Sequence, residues 1–335
     1  MEFGISMGAL YAEPSVYVKY SREAEELGYS YAFYPDSQMV YPNPFAIMSV
    51  AATVTKKLRL GTMVSPPSIR HPSVLASAIC TVHEISGGRA LLTMGTGDSG
   101  VRKIGMKPLK LKELAEAVDY VKNLTEGKKF KYSTGEFGIR YAHGGIPIYT
   151  MATGPNMLKL SGKIGDGTIM QLGPGLTRWA VDQVRSGSQE AGVDFETRDL
   201  TWCALSSIDE DRNVARYRIK PSVTWFAMVF PQLIEKTGLQ LGDSFWRRIH
   251  EMKENYEKYD LVHSDRWEDA LEMAKFVPDE LVDRMVLAGN PDDICRVMRD
   301  LEGLGISKVA IRPASTDDWY KTFRMFAECV MPNFR

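Results

Sequence analysis

Two short stretches of this 335-residue chain combine residue types suited to holding a ligand. Gly95-Thr96-Gly97-Asp98-Ser99-Gly100 fits the GxGxxG spacing, in which glycines permit a tight turn or let a flat ring approach the backbone. Ala152-Thr153-Gly154-Pro155-Asn156-Met157 precedes a helical pattern running to Lys163. Unpaired backbone N–H groups at a helix start, aided by Thr153 and Asn156, would bind an anion, although an ordinary cap followed by a first-turn proline has the same sequence. Elsewhere stand two carboxylates, Asp36 and Asp98, the amide of Gln171, the hydroxyls of Ser6, Ser37 and Ser206, and the cation Arg312. Titrating bases are scarce in this set. The five histidines include no HExxH pair, no GxSxG elbow marks a serine nucleophile, and the four cysteines show no CxxC. No metal site is expected from such spacing. The set suits an organic cofactor that brings its own reactivity and is held by dipoles and backbone groups.

The elements that must position these residues follow from the apolar pattern. Strands are expected at Glu2–Met7, Tyr31–Tyr34, Leu58–Val64, Ala90–Met94, Ile148–Met151, Gly167–Met170, Leu200–Ser206 and Lys308–Ile311. Between them, helical spacing runs over Ser15–Leu27 (closed by Gly28), Pro44–Thr55, Pro72–Ile85, Pro108–Leu124 and Leu176–Ala191, with prolines and glycines where first turns and C-caps tolerate them. Eight strands alternating with helices read as a (β/α)8 TIM barrel of the α/β class. The site of such a barrel lies at the C-terminal strand ends. There fall Ser6 and Met7, Asp36 and Ser37, Met63 to Ser65, Thr96 to Asp98, Ala152 to Asn156, Gln171, Ser206 and Arg312. The same placement rejects a Rossmann reading of Gly95–Gly100. That motif belongs to a first βα turn and opens a helix directly, whereas here the strand is the fourth and the next helix is expected only near Pro108. Lys128–Gly145 reads as an inserted hairpin with its turn at Ser133–Gly135, and Asp209–Pro291 as extra helices over one barrel end. No Gly/Ser/Pro-rich linker bounds them, so residues 1–335 are expected to form a single domain with a helical insertion at about 209–291.

Composition excludes several classes. Lys and Arg number 41 against 42 Asp and Glu, a net charge of −1, so no general field attracts nucleic acid or an anionic membrane. The apolar run Trp225–Phe230 is far too short to span a bilayer. The opening MEFGISMG lacks the basic-then-apolar order of a secretory signal, and scattered cysteines fit a reducing compartment. A cytoplasmic location is the expectation.

The chain resembles the bacterial luciferase-like superfamily of flavin- and deazaflavin-dependent oxidoreductases, and within it methylenetetrahydromethanopterin reductase-like proteins most closely. The stretch Leu58–Asp98, LRLGTMVSPPSIRHPSVLASAICTVHEISGGRALLTMGTGD, carries a strand ending in LG, then RxP, a helix, SxGR and the GxGxGD-type turn. Ala152-Thr-Gly-Pro, Gly165-Asp-Gly167 and Ala288-Gly-Asn-Pro-Asp-Asp293 extend the likeness over most of the chain, with Lys128–Gly145 and Pro221–Asp265 weakly covered. The resemblance implies a barrel with a tricyclic ring across the strand ends and a non-prolyl cis peptide at Met63–Val64. It implies that Asp36, Thr96, Gly97 and Asp98 border the ring and that Thr153, Gly154, Pro155, Asn156 and Met157 bind a tail phosphate, with Ala152 and Gln171 completing the cofactor set. Asp98 and Asp36 are the candidate catalytic groups. Ser6, Tyr11, Tyr41, Trp225, Phe226 and Arg312 are the candidate substrate pocket.

Thr96-Gly97-Asp98 is similar to members that use coenzyme F420, whereas FMN users often place an arginine or aromatic residue there. The implied activity is hydride transfer between the deazaflavin and a small organic substrate. The alternatives are an FMN-dependent monooxygenase and a flavin- or deazaflavin-binding protein without turnover. Pterin reductases of the superfamily carry a glutamate at Ser6 and a histidine at Ser37. Its glucose-6-phosphate dehydrogenases carry a lysine at Pro174 and a histidine and tryptophan at Ser37 and Tyr41. These departures weigh against both substrates. A homodimer is implied as well.

Overall fold

The computed structural model describes residues 1–254 and 267–334; His263 lies outside the described residues. Eight parallel strands form the barrel: β1 (Glu2–Ser6), β2 (Tyr31–Tyr34), β3 (Arg59–Thr62), β4 (Ala90–Met94), β5 (Ile148–Ala152), β6 (Gly167–Gln171), β7 (Asp199–Ile208) and β8 (Lys308–Pro313). Each pairs with its successor, and β8 pairs back onto β1 with Gly4 opposite Ala310, closing the cylinder. All eight expected strands are therefore present. Closure gives each of these eight strands a hydrogen-bonded neighbour on both sides.

The barrel interior is packed solid. Tyr31, Phe33, Met63, Leu91, Tyr149, Ile169, Cys203 and Ala310 form one buried cluster inside it. Large inward side chains are accommodated by glycines on neighbouring strands. A Cβ on Gly4 would lie 2.8 Å from the Phe33 ring, and one on Gly61 2.8 Å from Leu91 Cγ. The larger cluster lies between strands and helices, where Pro14–Leu27, Pro44–Val54, Pro72–Ile85 and Leu111–Thr125 cover β1 to β4.

Three expectations are corrected. A helical turn, Ser99–Arg102, follows Asp98 directly, and the main helix begins at Leu111 instead of Pro108. The segment between β7 and β8 is helical at Arg212–Val229, Pro231–Lys236, Asp243–Glu254, Trp267–Ala274 and Asp279–Met285. It also contains a three-residue strand, Leu287–Gly289, paired in parallel with the end of β7. The hairpin is present as Phe130–Tyr132 and Gly135–Phe137. Among the described residues no helix is long and apolar enough to cross a membrane.

Two side chains fix where β3 begins, and hence where its far end delivers Met63. Arg89, the arginine of SxGR, donates from Nε to the Ser86 carbonyl (2.7 Å) and from Nη1 to the Leu58 carbonyl (2.7 Å). Its Nη2 reaches the carbonyls of Ala52 (2.9 Å) and Thr55 (3.1 Å). The motif is thus a brace for the ends of two helices and a strand. From the other side, the Glu25 carboxylate accepts the backbone N–H groups of Lys56, Lys57 and Leu58. Burial pulls the Glu25 carboxyl upward, but those three donors and the nearby Arg89 charge outweigh it and hold the group below its ordinary value.

Replacing Arg89 by Met strands four backbone carbonyls and is expected to cost about 3 kcal/mol in urea unfolding; a loss under about 0.5 kcal/mol would remove its bracing role. Because the folded state lowers the Glu25 value, its contribution is complete above the unfolded value and fades as pH falls through the folded one. The stability gap between the parent protein and Glu25→Gln is therefore expected to be about 1 kcal/mol near pH 7. It should shrink steadily below about pH 4.3, and a gap that widens in acid would contradict the assignment.

Candidate active site

A cleft of about 380 Å³ opens at the C-terminal strand ends, with lining residues from or just after every barrel strand except β1. One wall is built by the ends of β2, β3 and β4. The Met63–Val64 peptide is cis, as the resemblance implies, and both residues line the cleft. The sheet ladder grips this bond on both sides: Met63 N–H donates to the Tyr34 carbonyl and Ser65 N–H to that of Thr93, each at 2.9 Å.

Asp36 is the centre of that wall. Its side chain is fully buried. One oxygen, Oδ2, accepts the Ser65 hydroxyl at 2.8 Å and pairs with the Arg70 guanidinium. The other, Oδ1, is buried and has no partner among the described residues, although Asp36 borders the cleft. A buried acceptor left unmatched costs free energy that a ligand donor would recover. Arg70 is the arginine of RxP. Its spacing signalled a motif but not its target, so sequence reasoning missed its role.

The turn after β4 is crowded for a related reason. Gly97 has φ +93°, and a Cβ there would sit 2.3 Å from Val101 Cγ2. A Cβ on Gly95 would meet Val64 at 2.9 Å, and one on Gly100 the Asp36 carbonyl at 2.9 Å. The GxGxxG glycines thus let three loops close on one another, and they flank the cis peptide. Ser99 Oγ lies 3.1 Å from Ser37 Oγ, and Gln38 Nε2 donates to the Gly100 carbonyl at 2.8 Å. Asp98 differs from Asp36. It is half-exposed, and its Oδ1 accepts from Arg102 Nε at 2.9 Å, one turn on.

Across the mouth, Gln171 ends β6 with its Nε2 buried and without a partner among the described residues. Thr153 lines the cleft at the end of β5. Ala152 is buried in the strand behind it, while Gly154, Pro155, Asn156 and Met157 run on from Thr153 outside the lining. They start the helix Pro155–Lys163, whose first-turn N–H groups receive no side-chain cap at Gly154.

The roof is aromatic and comes largely from the inserted helix: Trp225, Val229 and Phe230, together with Tyr41. Leu205 and Arg312 supply the β7–β8 side. Three expected pocket residues do not reach the cleft. Phe226 is core, 1% exposed and packed edge-on against Trp225 at 5.0 Å, because each helical residue is turned about 100° from the one before it, which carries Phe226 from the cleft side into the core. Tyr11 stacks behind Tyr41, ring centroids 5.3 Å apart. Ser6 is buried, with its Oγ accepting from Gly8 N–H at 3.2 Å. Among the described residues no group of three or more His, Cys, Asp or Glu is placed to hold a metal.

Comparison with known proteins agrees with this geometry. The sequence profile of the luciferase-like monooxygenase family matches residues 2–308. A 5,10-methylenetetrahydromethanopterin reductase of Archaeoglobus fulgidus is 32% identical over the full length of both chains. An F420-dependent glucose-6-phosphate dehydrogenase of Nakamurella multipartita is 26% identical, covering 100% of this chain and 97% of the other. Among solved structures, the coenzyme F420-dependent tetrahydromethanopterin reductase of Methanopyrus kandleri superposes with a TM-score of 0.82 at 25% identity, covering 100% and 99% of the two chains. A barrel closed over a cis Met63–Val64 peptide, matched by that profile along nearly all its length, belongs to the luciferase-like monooxygenase family.

Proposed function

We propose that the protein is a coenzyme F420-dependent oxidoreductase acting on a small organic substrate. The observation that carries this reading is the pair of buried, unmatched polar atoms, Asp36 Oδ1 and Gln171 Nε2, on a cleft that also contains Met63–Val64. A buried acceptor and a buried donor without partners among the described residues, on two residues that line one cleft, suit a flat ring bearing both kinds of group. The F420-dependent dehydrogenase at 26% identity and the coenzyme F420-dependent reductase structure at 25% identity support the choice of deazaflavin. Asp36, Met63, Val64, Thr96, Gly97 and Gln171 would hold the ring, and the helix start at Thr153–Met157 its phosphate. The deazaflavin supplies two electrons together as hydride.

The chain's own work is alignment, water exclusion and proton delivery. Trp225, Val229, Phe230 and Tyr41 cover the slot and keep water out. The geometry divides the two carboxylates. Asp36, clamped by Arg70 and Ser65, serves binding. Asp98, tied only through Oδ1 to an exposed arginine, remains within reach of a substrate and is the candidate proton donor. Imines, enones, ketones and nitroaromatics are the acceptors that such a site would take.

Two measurements test the reading. In titrations followed by tryptophan fluorescence, F420 should bind at least tenfold more tightly than FMN, about 1.4 kcal/mol; preference for FMN would move the protein to the oxygen-using side of the family. Asp98→Asn is expected to lower turnover by about 100-fold while F420 affinity stays within about twofold. Unchanged turnover would remove Asp98 from the mechanism.

A further inference from the structure

The charges around the cleft are matched with one exception. Asp36 pairs with Arg70, and Asp98 with Arg102. Arg312 lines the cleft, is half-buried, and among the described residues pairs with no carboxylate. Its backbone N–H donates to Ser206 Oγ at 3.4 Å, anchoring the end of β8 to β7. Its side chain lies over the Gly8 backbone, where a Cβ would approach Nε to 3.5 Å. In a closed ring of eight strands β4 and β8 are diametrically opposed. Arg312 therefore ends the strand opposite the one that leads into Gly95–Asp98, beside Leu205 on the neighbouring strand, and Leu205, Trp225 and Phe230 line the same cleft.

A cleft with an apolar side that holds, among the described residues, one cation without a carboxylate partner, and with the cis-peptide wall on its other side, has a defined complement. We propose that the substrate is an organic acid with a flat apolar body, whose carboxylate is held by Arg312 while its remaining length points to the β3–β4 wall. This rests on the reading of that wall as the cofactor's. Arginine's planar fork matches a carboxylate through two parallel hydrogen bonds. One positive charge balances a monoanion; a phosphate ester carries nearly two negative charges and would call for a second cation.

The test uses trans-cinnamate and its neutral isostere trans-cinnamamide as probes, measured by isothermal calorimetry on the full chain with and without F420. The parent protein should bind cinnamate about tenfold more tightly than the amide. Arg312→Met should bring the two to within about twofold, and Arg312→Lys should restore part of the preference. Equal binding of acid and amide, binding of neither, or a preference that survives Arg312→Met would overturn the proposal. F420 affinity, read from the coenzyme's own fluorescence, is measured on the same samples. Loss of F420 binding in Arg312→Met with the acid preference intact would assign Arg312 to the cofactor instead. Failure of the parent to bind F420 at all, with cinnamate still preferred, would defeat the cofactor reading and leave the acid site standing.

Discussion

The site depends on one buried carboxylate. Asp36 draws the loop after β3 to the loop after β2 through Ser65, and draws the start of the helix Pro72–Ile85 inward through Arg70. A buried ion pair is a poor source of net stability, since desolvating both charges offsets their attraction. Breaking such a pair is costly, however, because the remaining charge is left buried. The arrangement therefore specifies position: with Asp36 in place, the segment carrying the cis Met63–Val64 peptide has one seat. Only Oδ2 is used in doing so. Oδ1 is buried and keeps its hydrogen-bonding capacity unused among the described residues.

The rest of the site follows from closure of the barrel. Small residues at Gly4 and Gly61 admit Phe33 and Leu91 to the interior, so the barrel is solid beneath the cleft and ligands are confined to its mouth. At that mouth the strand order separates two tasks. The β2–β4 ends form a polar, tightly interlocked wall, and the β7–β8 ends with the inserted helix form an apolar one with a single cation. On the proposed function, ring binding and substrate selection fall to these two different walls, built from different parts of the chain.

Much of this was legible in the sequence. All eight barrel strands were expected within two residues at most ends, since short apolar runs separated by amphipathic helices carry a strong signal. Leu287–Gly289 was hidden because three residues inside an eighty-residue helical stretch have no period of their own. The helical turn Ser99–Arg102 escaped because a Gly-rich turn masks so short an element. At the site, Asp36, Met63, Val64, Thr96, Gly97, Asp98, Gln171, Tyr41, Trp225 and Arg312 were placed at the cleft from strand-end position and resemblance. Phe226 was misplaced because a turn of about 100° from Trp225 carries it into the core, and Arg70 was missed because its partner lies 34 positions earlier. The function of SxGR was equally invisible, and the GxGxxG glycines, expected to permit a tight turn or the approach of a ring, also let three loops close through contacts that only the closed fold creates.

The account turns on the ring lying against Met63–Val64 with its polar edge on Asp36 and Gln171. A crystal structure of the protein grown with F420 tests this most directly. The account predicts density for the tricycle in van der Waals contact with Val64, a hydrogen bond to Asp36 Oδ1, and the phosphate at the start of the helix Pro155–Lys163. A ring bound elsewhere, or one that leaves both buried atoms unmatched, would contradict it.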